Sequence, residues 1–231
     1  MPLFVASILA LPFFAACSDD QTGASGSNST ALAQQEADAA REKIRQCFNG
    51  YMAAVLDSDG EAAADFVTNS TLQKYETWCG LALNATILNL DDLLLLDSVT
   101  VLMFRTSFEP EDLKIFARDG YAAFKASADA GMISPESVAS LSLGEIQIQH
   151  SAANGVVVND GTPTDLDYEF RLENGEWKLN LLPTLRIANL AFEQVREEVG
   201  LSNDDFLIFI VSQSLGRNVD DSIFVPISDQ T

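Results

Sequence analysis

Few side chains in this sequence have types and spacings that could do chemistry. The chain has a single histidine, His150, at the end of the alternating run Glu145–Gln149. Since alternate side chains of a β-strand lie on the same face, His150 is expected beside Ile146 and Ile148 on an apolar face. In that position a histidine acts either as a general base or as a hydrogen-bonded residue of the core or rim. The sequence leaves both roles open.

Aromatic residues follow on two neighbouring predicted strands. Polar and apolar residues alternate over residues 165–172, with Tyr168 and Phe170 in the apolar set, and Trp177 belongs to the apolar set of the next strand. Together with His150, these three rings could line a pocket for a small apolar molecule. Aromatic residues at this period also form ordinary cores, so the pocket is a hypothesis.

The motifs of common catalytic and metal sites do not occur in the sequence. It has no Gly-x-Ser-x-Gly elbow and no glycine-rich phosphate loop. Asp57 and Asp59 precede Gly60 as in a calcium loop, but the outer ligand positions would be Val55 and Phe66, which cannot coordinate. Besides Cys17, which is expected to carry a lipid, one histidine and two cysteines that are expected to be bonded to each other do not supply a usual zinc ligand set. The sequence therefore predicts no metal and no cofactor.

The sheet that would position these residues is predicted over residues 143–182. Asn174-Gly175 supplies the two positive-φ positions of a type I′ turn between the last two strands. Asn154-Gly155 and Asn159-Asp160-Gly161 are predicted to form the two earlier turns. This spacing predicts a curved antiparallel sheet of about four strands.

Helices are predicted on both sides of this sheet. Apolar residues recur at three- and four-residue steps in Glu36–Leu56, and Asp59 and Ser70-Thr71-Leu72-Gln73 are expected to cap two further helices. Leu90–Phe108 is expected to be a helix or, alternatively, a strand. Further helices are expected over residues 110–131, 183–200 and Asp204–Leu215, and the tail Ile223–Ile227 is expected to be extended. The predicted class is α+β, with N-terminal helices packed on the sheet and a C-terminal helical extension.

The net charge limits the partners that the protein can have. Thirty-four acidic and 13 basic residues give a formal charge of −21. A field of this sign repels phosphate backbones and anionic lipid surfaces, so nucleic-acid binding is not expected. Solubility accounts for the acidity, and binding of a cationic ligand is the alternative explanation.

The N-terminus has the pattern of an export signal. The first sixteen residues contain no Asp, Glu, Lys or Arg, are mostly apolar and end Phe14-Ala15-Ala16 before Cys17, and the apolar run is too short to span a bilayer. The segment resembles a bacterial lipoprotein signal, which implies a lipid on Cys17 as the membrane anchor. Ser18 resembles an outer-membrane address, so the resemblance implies an exported protein on the inner leaflet of the outer membrane, facing the periplasm. The polar residues 17–34 are predicted to be a flexible tether.

Two cysteines remain besides Cys17. Cys47 and Cys79 each lie among apolar residues at helical spacing. In an oxidising compartment this pair favours a disulfide, which would add roughly 3–4 kcal/mol to the free energy of unfolding by the chain-entropy model. The alternative is two buried thiols on adjacent helices.

The order of elements carries a second resemblance. Helices come first and antiparallel strands follow. This order is similar to the nuclear transport factor two-like superfamily, a cystatin-like α+β cone. The matching motifs are Asp57–Thr68, Thr71-Leu72-x-x-Tyr75 and Glu173-Asn174-Gly175-Glu176-Trp177-Lys178-Leu179. The resemblance covers about residues 36–190 and implies a cone that holds a ligand or, in enzymes, an acid or base such as His150. The implied organisation is signal peptide 1–16, tether 17–34, cone-like domain 35–190 and an extension, 191–231, packed on the same domain.

Three functions are consistent with these features. The preferred one is a lipid-anchored, non-enzymatic periplasmic module that binds a small apolar molecule or an envelope partner protein through its cone or its C-terminal helices. The second is an isomerase, dehydratase or hydrolase for a small molecule, with His150 as the base. The third is a structural envelope component whose C-terminal helices dock on a partner.

Overall fold

The computed structural model describes the backbone of residues 27–229 and the side chains of residues 34–136 and 138–228. The predicted signal peptide, Cys17 and residues 18–26 of the predicted tether lie outside the described residues. Within the described part, nine α-helices and one antiparallel sheet of four strands confirm the predicted α+β class. None of the helices described is both long enough and apolar enough to cross a membrane.

Seven helices precede the sheet and two follow it. The N-terminal helices are α1 (Ser27–Leu56), α2 (Gly60–Asp65), α3 (Asn69–Asn84), α4 (Ile87–Asp91), α5 (Leu95–Ser107), α6 (Pro110–Phe116) and α7 (Gly120–Asp129). The strands are β1 (Leu141–Gln149), β2 (Ala152–Asn159), β3 (Thr162–Glu173) and β4 (Glu176–Asn180). The C-terminal helices are α8 (Leu182–Val199) and α9 (Asn203–Leu215), and 3₁₀ turns occur at Pro135–Ser137, Asp221–Phe224 and Ile227–Asp229.

Helix α1 begins earlier than the sequence pattern predicts. It starts at Ser27, so the prediction of a flexible tether is wrong for residues 27–34. The alanine-, glutamine- and glutamate-rich stretch 31–40 explains this difference, because these residues favour the helix interior. Further along, α1 has the predicted apolar stripe and packs against β1 and β4. The buried residues of that stripe are Ile44, Cys47, Phe48, Tyr51, Met52 and Val55.

The sheet is a simple meander in the order β1-β2-β3-β4. The predicted last hairpin is confirmed, with positive φ at Asn174 (+53°) and Gly175 (+86°). The predicted turn before β3 is also confirmed, with φ of +48° at Asp160 and +78° at Gly161. Register shifts place extra residues in β1, between Leu143 and Ile146, and in β3, between Pro163 and Asp167, and such bulges bend and twist the strands.

One predicted turn is wrong. Asn154-Gly155 lies inside β2, where Gly155 pairs with Ile146 on one side and Tyr168 on the other. A Cβ atom at Gly155 would lie only 2.6 Å from Cδ1 of Leu143. The glycine is therefore required by the close approach of this side chain, and not by a turn.

The helical predictions are correct in outline and differ in their boundaries. The N-cap of helix α3 is Thr68, two residues before the predicted N-cap Ser70, and its side chain accepts a hydrogen bond from the Thr71 amide at 3.3 Å. The predicted helix 90–108 covers the end of α4 and all of α5, and the predicted helix 110–131 is divided into α6 and α7. Helix α7 begins where the Asp119 side chain accepts a hydrogen bond from the Ala122 amide. The tail predicted as extended forms two 3₁₀ turns around Pro226.

The C-terminal extension is part of the packed core. Helices α8 and α9 contact α5, and the 3₁₀ turn Asp221–Phe224 contacts α5 as well. Phe206, Leu207 and Val211 of α9 are almost fully buried. The extension therefore packs mainly on the N-terminal helical layer, which leaves its own outer surface open.

Candidate functional site

His150 does not lie where the strand pattern places it. It is exposed in the two-residue turn between β1 and β2, where Gln149 pairs with Ala152, and it has a positive φ of +58°. A strand that ends at Gln149 loses its alternation at the next residue, so the predicted face shared with Ile146 and Ile148 is wrong. His150 does not line either of the two cavities of the described residues.

The three predicted pocket rings are core residues. Phe170 is fully buried, and Tyr168 and Trp177 are 8% and 7% exposed. Their face of the sheet is covered by α1, whose Phe48 ring lies 5.5 Å from the Tyr168 ring, centroid to centroid. The structure brings these rings into one core without His150, so the predicted pocket of four residues is not formed.

Two tyrosines of the helices extend this core. Tyr51 of α1 and Tyr75 of α3 are buried, and burial raises the pKa of both phenols well above the usual value. Burial also raises the pKa of Tyr168 to about 12. At neutral pH all three are uncharged phenols that can donate a hydrogen bond but cannot act as bases.

The two described cysteines are unbonded and buried, so the predicted disulfide between Cys47 and Cys79 is not formed. Cys47 Sγ instead donates to the carbonyl of Phe66 at 3.6 Å, on the side of α1 that meets the segment after α2. Burial raises the pKa of each thiol to about 12. Thiols with so high a pKa are inert at neutral pH, which matches the alternative of two structural cysteines.

An open groove of about 540 Å³ lies on the C-terminal extension, where α4, the start of α9 and the last 3₁₀ turns meet. We call it the C-terminal groove. Its apolar residues are Ile87, Ile208, Phe224, Val225 and Pro226, and its polar residues are Thr86, Ser202, Asp204, Asp205 and Asp221. Ile87 and Val225 remain 37% and 43% exposed, so the apolar part of the groove is accessible.

The charge of the C-terminal groove is uncompensated. Three aspartates and no basic residue line it. Burial, followed by the neighbouring charges of Asp91, Asp205 and Asp221, raises the pKa of Asp204 above its usual value. These carboxylates are not arranged to hold a metal ion, since the described residues contain no group of three or more His, Cys, Asp or Glu side chains that could do so.

Comparison of this chain with known proteins found no relative. No protein-family model, curated protein or solved structure matches this chain. The resemblances to lipoprotein signals and to the nuclear transport factor two-like superfamily therefore stay predictions, and the groove has to be interpreted from its own residues.

The sequence contained one signal for this groove. Residues 206–211 of α9 are apolar without interruption, and a helix that is apolar on all sides is normally buried on all sides. In the structure only Phe206, Leu207 and Val211 are buried, while Phe209 is 39% exposed. Ile208 of this run lines the groove and is half-buried, so part of the apolar surface of α9 remains accessible.

Replacing His150 by glycine should have almost no effect on stability. The side chain is exposed and its backbone φ is positive, so glycine fits the turn and the free energy of unfolding should change by less than about 1 kcal/mol. Urea unfolding followed by circular dichroism measures this. A loss of 2 kcal/mol or more, about the effect of truncating a packed side chain, would show that His150 lies in the core.

Proposed function

We propose that this protein is a non-enzymatic binding module that docks a segment of a partner protein in the C-terminal groove. The segment carries apolar side chains flanked by lysine or arginine. A lipid on Cys17 anchors the module in the periplasm. The observation that carries the proposal is the accessible apolar floor of the groove beside three aspartates that no basic residue neutralises.

The apolar floor provides the contact area. Ile87 and Val225 are exposed and Ile208 is half-buried. Covering apolar surface yields about 25 cal/mol for each Å² removed from water. A few apolar anchors in a concave site dominate most protein interfaces, so this floor is suited to one or two side chains of a docked segment.

The acidic rim selects the partner. Burial raises the pKa of Asp204, and the neighbouring charges of Asp91, Asp205 and Asp221 raise it further. A lysine or arginine of a partner would relieve this repulsion and would form charge-assisted hydrogen bonds. Like charges gathered at a groove destabilise the free protein. Such a loss of stability in exchange for function is typical of binding sites.

The filled sheet face favours the groove over the cone as the binding site. Phe48, Tyr168 and Phe170 occupy the region where a cone-type ligand would lie. The groove, by contrast, is open and belongs to the part of the chain that the resemblance to cone domains does not cover. Docking at the C-terminal helices would serve a structural envelope component equally well.

Selection from a phage-displayed library of random peptides on the immobilised protein tests the proposal. Enriched peptides should combine apolar residues with lysine or arginine, and they should bind the Asp204→Asn/Asp221→Asn variant at least about tenfold more weakly. Asp165→Asn/Asp167→Asn is the matched control, because it removes two acids from the exposed side of β3. Failure to enrich any peptide, or equal binding to both variants, would refute the proposal.

A stability measurement on Asp204→Asn gives an independent result. Since the pKa of Asp204 is raised in the folded state, its ionisation destabilises the fold at neutral pH, and this penalty vanishes as the pH falls below the pKa of the unfolded chain. Asp204→Asn should therefore raise Tm at neutral pH by on the order of 1 °C, and the gain should shrink towards about pH 4. A lower Tm at neutral pH would show that Asp204 stabilises the free protein.

A further inference from the structure

A second cavity, of about 580 Å³, adjoins the same C-terminal segment. We call it the arginine cavity, because two arginines line it. Its residues are Arg105, Thr106, Phe108, Glu109, Pro110, Arg217, Asn218, Val219, Asp220, Ser222, Ile223 and Ile227. The volume lies within the range of ordinary small-molecule sites. Unlike the C-terminal groove, it contains as many basic as acidic residues.

Arg105 is the exceptional residue of this cavity. It is only 8% exposed, yet its guanidinium group meets backbone carbonyls alone. Nε donates to Ala82 at 2.8 Å, Nη1 to Ile223 at 2.9 Å, and Nη2 to Leu81 at 3.3 Å and to Ala85 at 2.7 Å. A guanidinium has five N–H donors, so one N–H of Nη1 is unused by these bonds.

The charge of Arg105 has no acidic partner. The ion pairs of the described residues do not include it. Burial lowers its pKa to about 10, and no neighbouring carboxylate offsets that effect. The group therefore stays protonated at neutral pH as a buried cation that only carbonyl dipoles stabilise. A buried charge in this state gains strongly from an anion placed against it.

Arg217 supplies a second positive charge to the arginine cavity. It follows the C-terminal Gly216 cap of α9 and is exposed, and it too lacks an ion pair among the described side chains. The acid Asp220 is turned to the backbone, since it accepts a hydrogen bond from the Ser222 amide at 3.0 Å. Among the described side chains neither arginine of the cavity forms an ion pair, and neither does Glu109 or Asp220.

The geometry points to a binding site for a monocarboxylate that carries an apolar group. The carboxylate would accept hydrogen bonds from Nη1 of Arg105 and from Arg217, and the apolar group would cover Phe108, Val219 and Ile227. A dianion such as phosphate fits less well, because Glu109 and Asp220 line the same cavity and the net charge of the chain is −21.

Such a carboxylate has two sources, a free amphipathic acid or the C-terminus of a peptide. Isothermal titration of the full-length protein with sodium octanoate and with an N-acetylated tripeptide ending in leucine distinguishes them. Octanamide and the amidated tripeptide are the uncharged counterparts, and inorganic phosphate is the dianion. We expect one of the two carboxylates to bind, its amide to bind at least about tenfold more weakly and phosphate not to compete.

Arginine variants locate the site. Arg217→Gln leaves every backbone bond of Arg105 in place and should weaken carboxylate binding about tenfold, whereas Arg217→Lys should recover part of the loss. Arg186→Gln removes an exposed arginine of α8 that does not line the cavity and should change nothing. The inference is overturned if neither carboxylate binds, if the amides bind equally well, or if Arg217→Gln binds like the unmodified protein.

Discussion

Replacing Arg105 by methionine should lower the free energy of unfolding by about 3–5 kcal/mol. Methionine retains most of the aliphatic volume, so the loss comes mainly from the guanidinium group. Its four hydrogen bonds satisfy the carbonyls of Leu81, Ala82, Ala85 and Ile223. Buried carbonyls without a donor lose the full solvation that water gave them in the unfolded chain.

The position of Arg105 explains why the effect should be large. Three of the four carbonyls lie at the C-terminal end of α3, where the helix dipole is negative; the Leu81 carbonyl also accepts from the Ala85 amide, whereas those of Ala82 and Ala85 follow it at the end of the helix, where carbonyls lack intrahelical partners. The fourth belongs to the C-terminal 3₁₀ turn. A single side chain therefore caps a core helix and attaches the segment that borders both the C-terminal groove and the arginine cavity.

Urea unfolding of Arg105→Met, Arg105→Lys and Arg186→Met measures this contribution. Lysine has one donor group and cannot reach four carbonyls, so it should lose about 2–3 kcal/mol. Arg186 is exposed on α8, and its replacement should change the free energy by less than about 0.5 kcal/mol. A change below 1 kcal/mol for Arg105→Met would mean that water replaces the guanidinium at these carbonyls.

The features that the sequence predicts well depend on local interactions. The Asn174-Gly175 hairpin is determined by two residue types that accept positive φ and by the alternation on either side. Helix α8 ends at Gly200 with φ of +67°, as its position after the last apolar residue indicates. In both cases the residues that decide the structure are neighbours in the chain.

The predictions that are wrong concern positions whose structure is determined by residues far away in the sequence. Gly155 has the composition of a turn, but it is required by the Leu143 side chain packed over it from the adjacent strand. His150 leaves the predicted face because β1 ends one residue earlier than alternation alone indicates. Neither the neighbour of Gly155 nor the end of β1 can be derived from local composition.

The candidate sites depend even more on long-range contacts. The C-terminal groove joins Thr86 and Ile87 to residues 202–226, and Arg105 reaches Ile223, which is 118 positions away. In the sequence Arg105 is one basic residue near the end of an apolar helix, with nothing to indicate that it is buried. For the C-terminal groove the sequence shows the uninterrupted apolar run 206–211 of α9, of which Ile208 lines the groove.

Replacing Phe170 by alanine should destabilise the protein by about 3–5 kcal/mol. Phe170 is fully buried in the middle of β3, paired with Ala153 on one side and Leu179 on the other. Truncation removes the ring from a face that α1 already covers, and close-packed surroundings collapse only in part. Leu172→Ala is the matched control, because Leu172 lies on the same face of β3 but is 41% exposed and should lose less than about 1.5 kcal/mol.

The same variant tests whether the sheet face is a filled core or an open cone. An apolar cavity left by a missing ring stays dry and accepts a small apolar molecule, so benzene should raise the Tm of Phe170→Ala but not that of the unmodified protein. In the unmodified protein the ring itself occupies this space. If benzene stabilised the unmodified protein equally, the sheet face would already contain a ligand cavity, and the binding function would belong to the cone instead of the C-terminal groove.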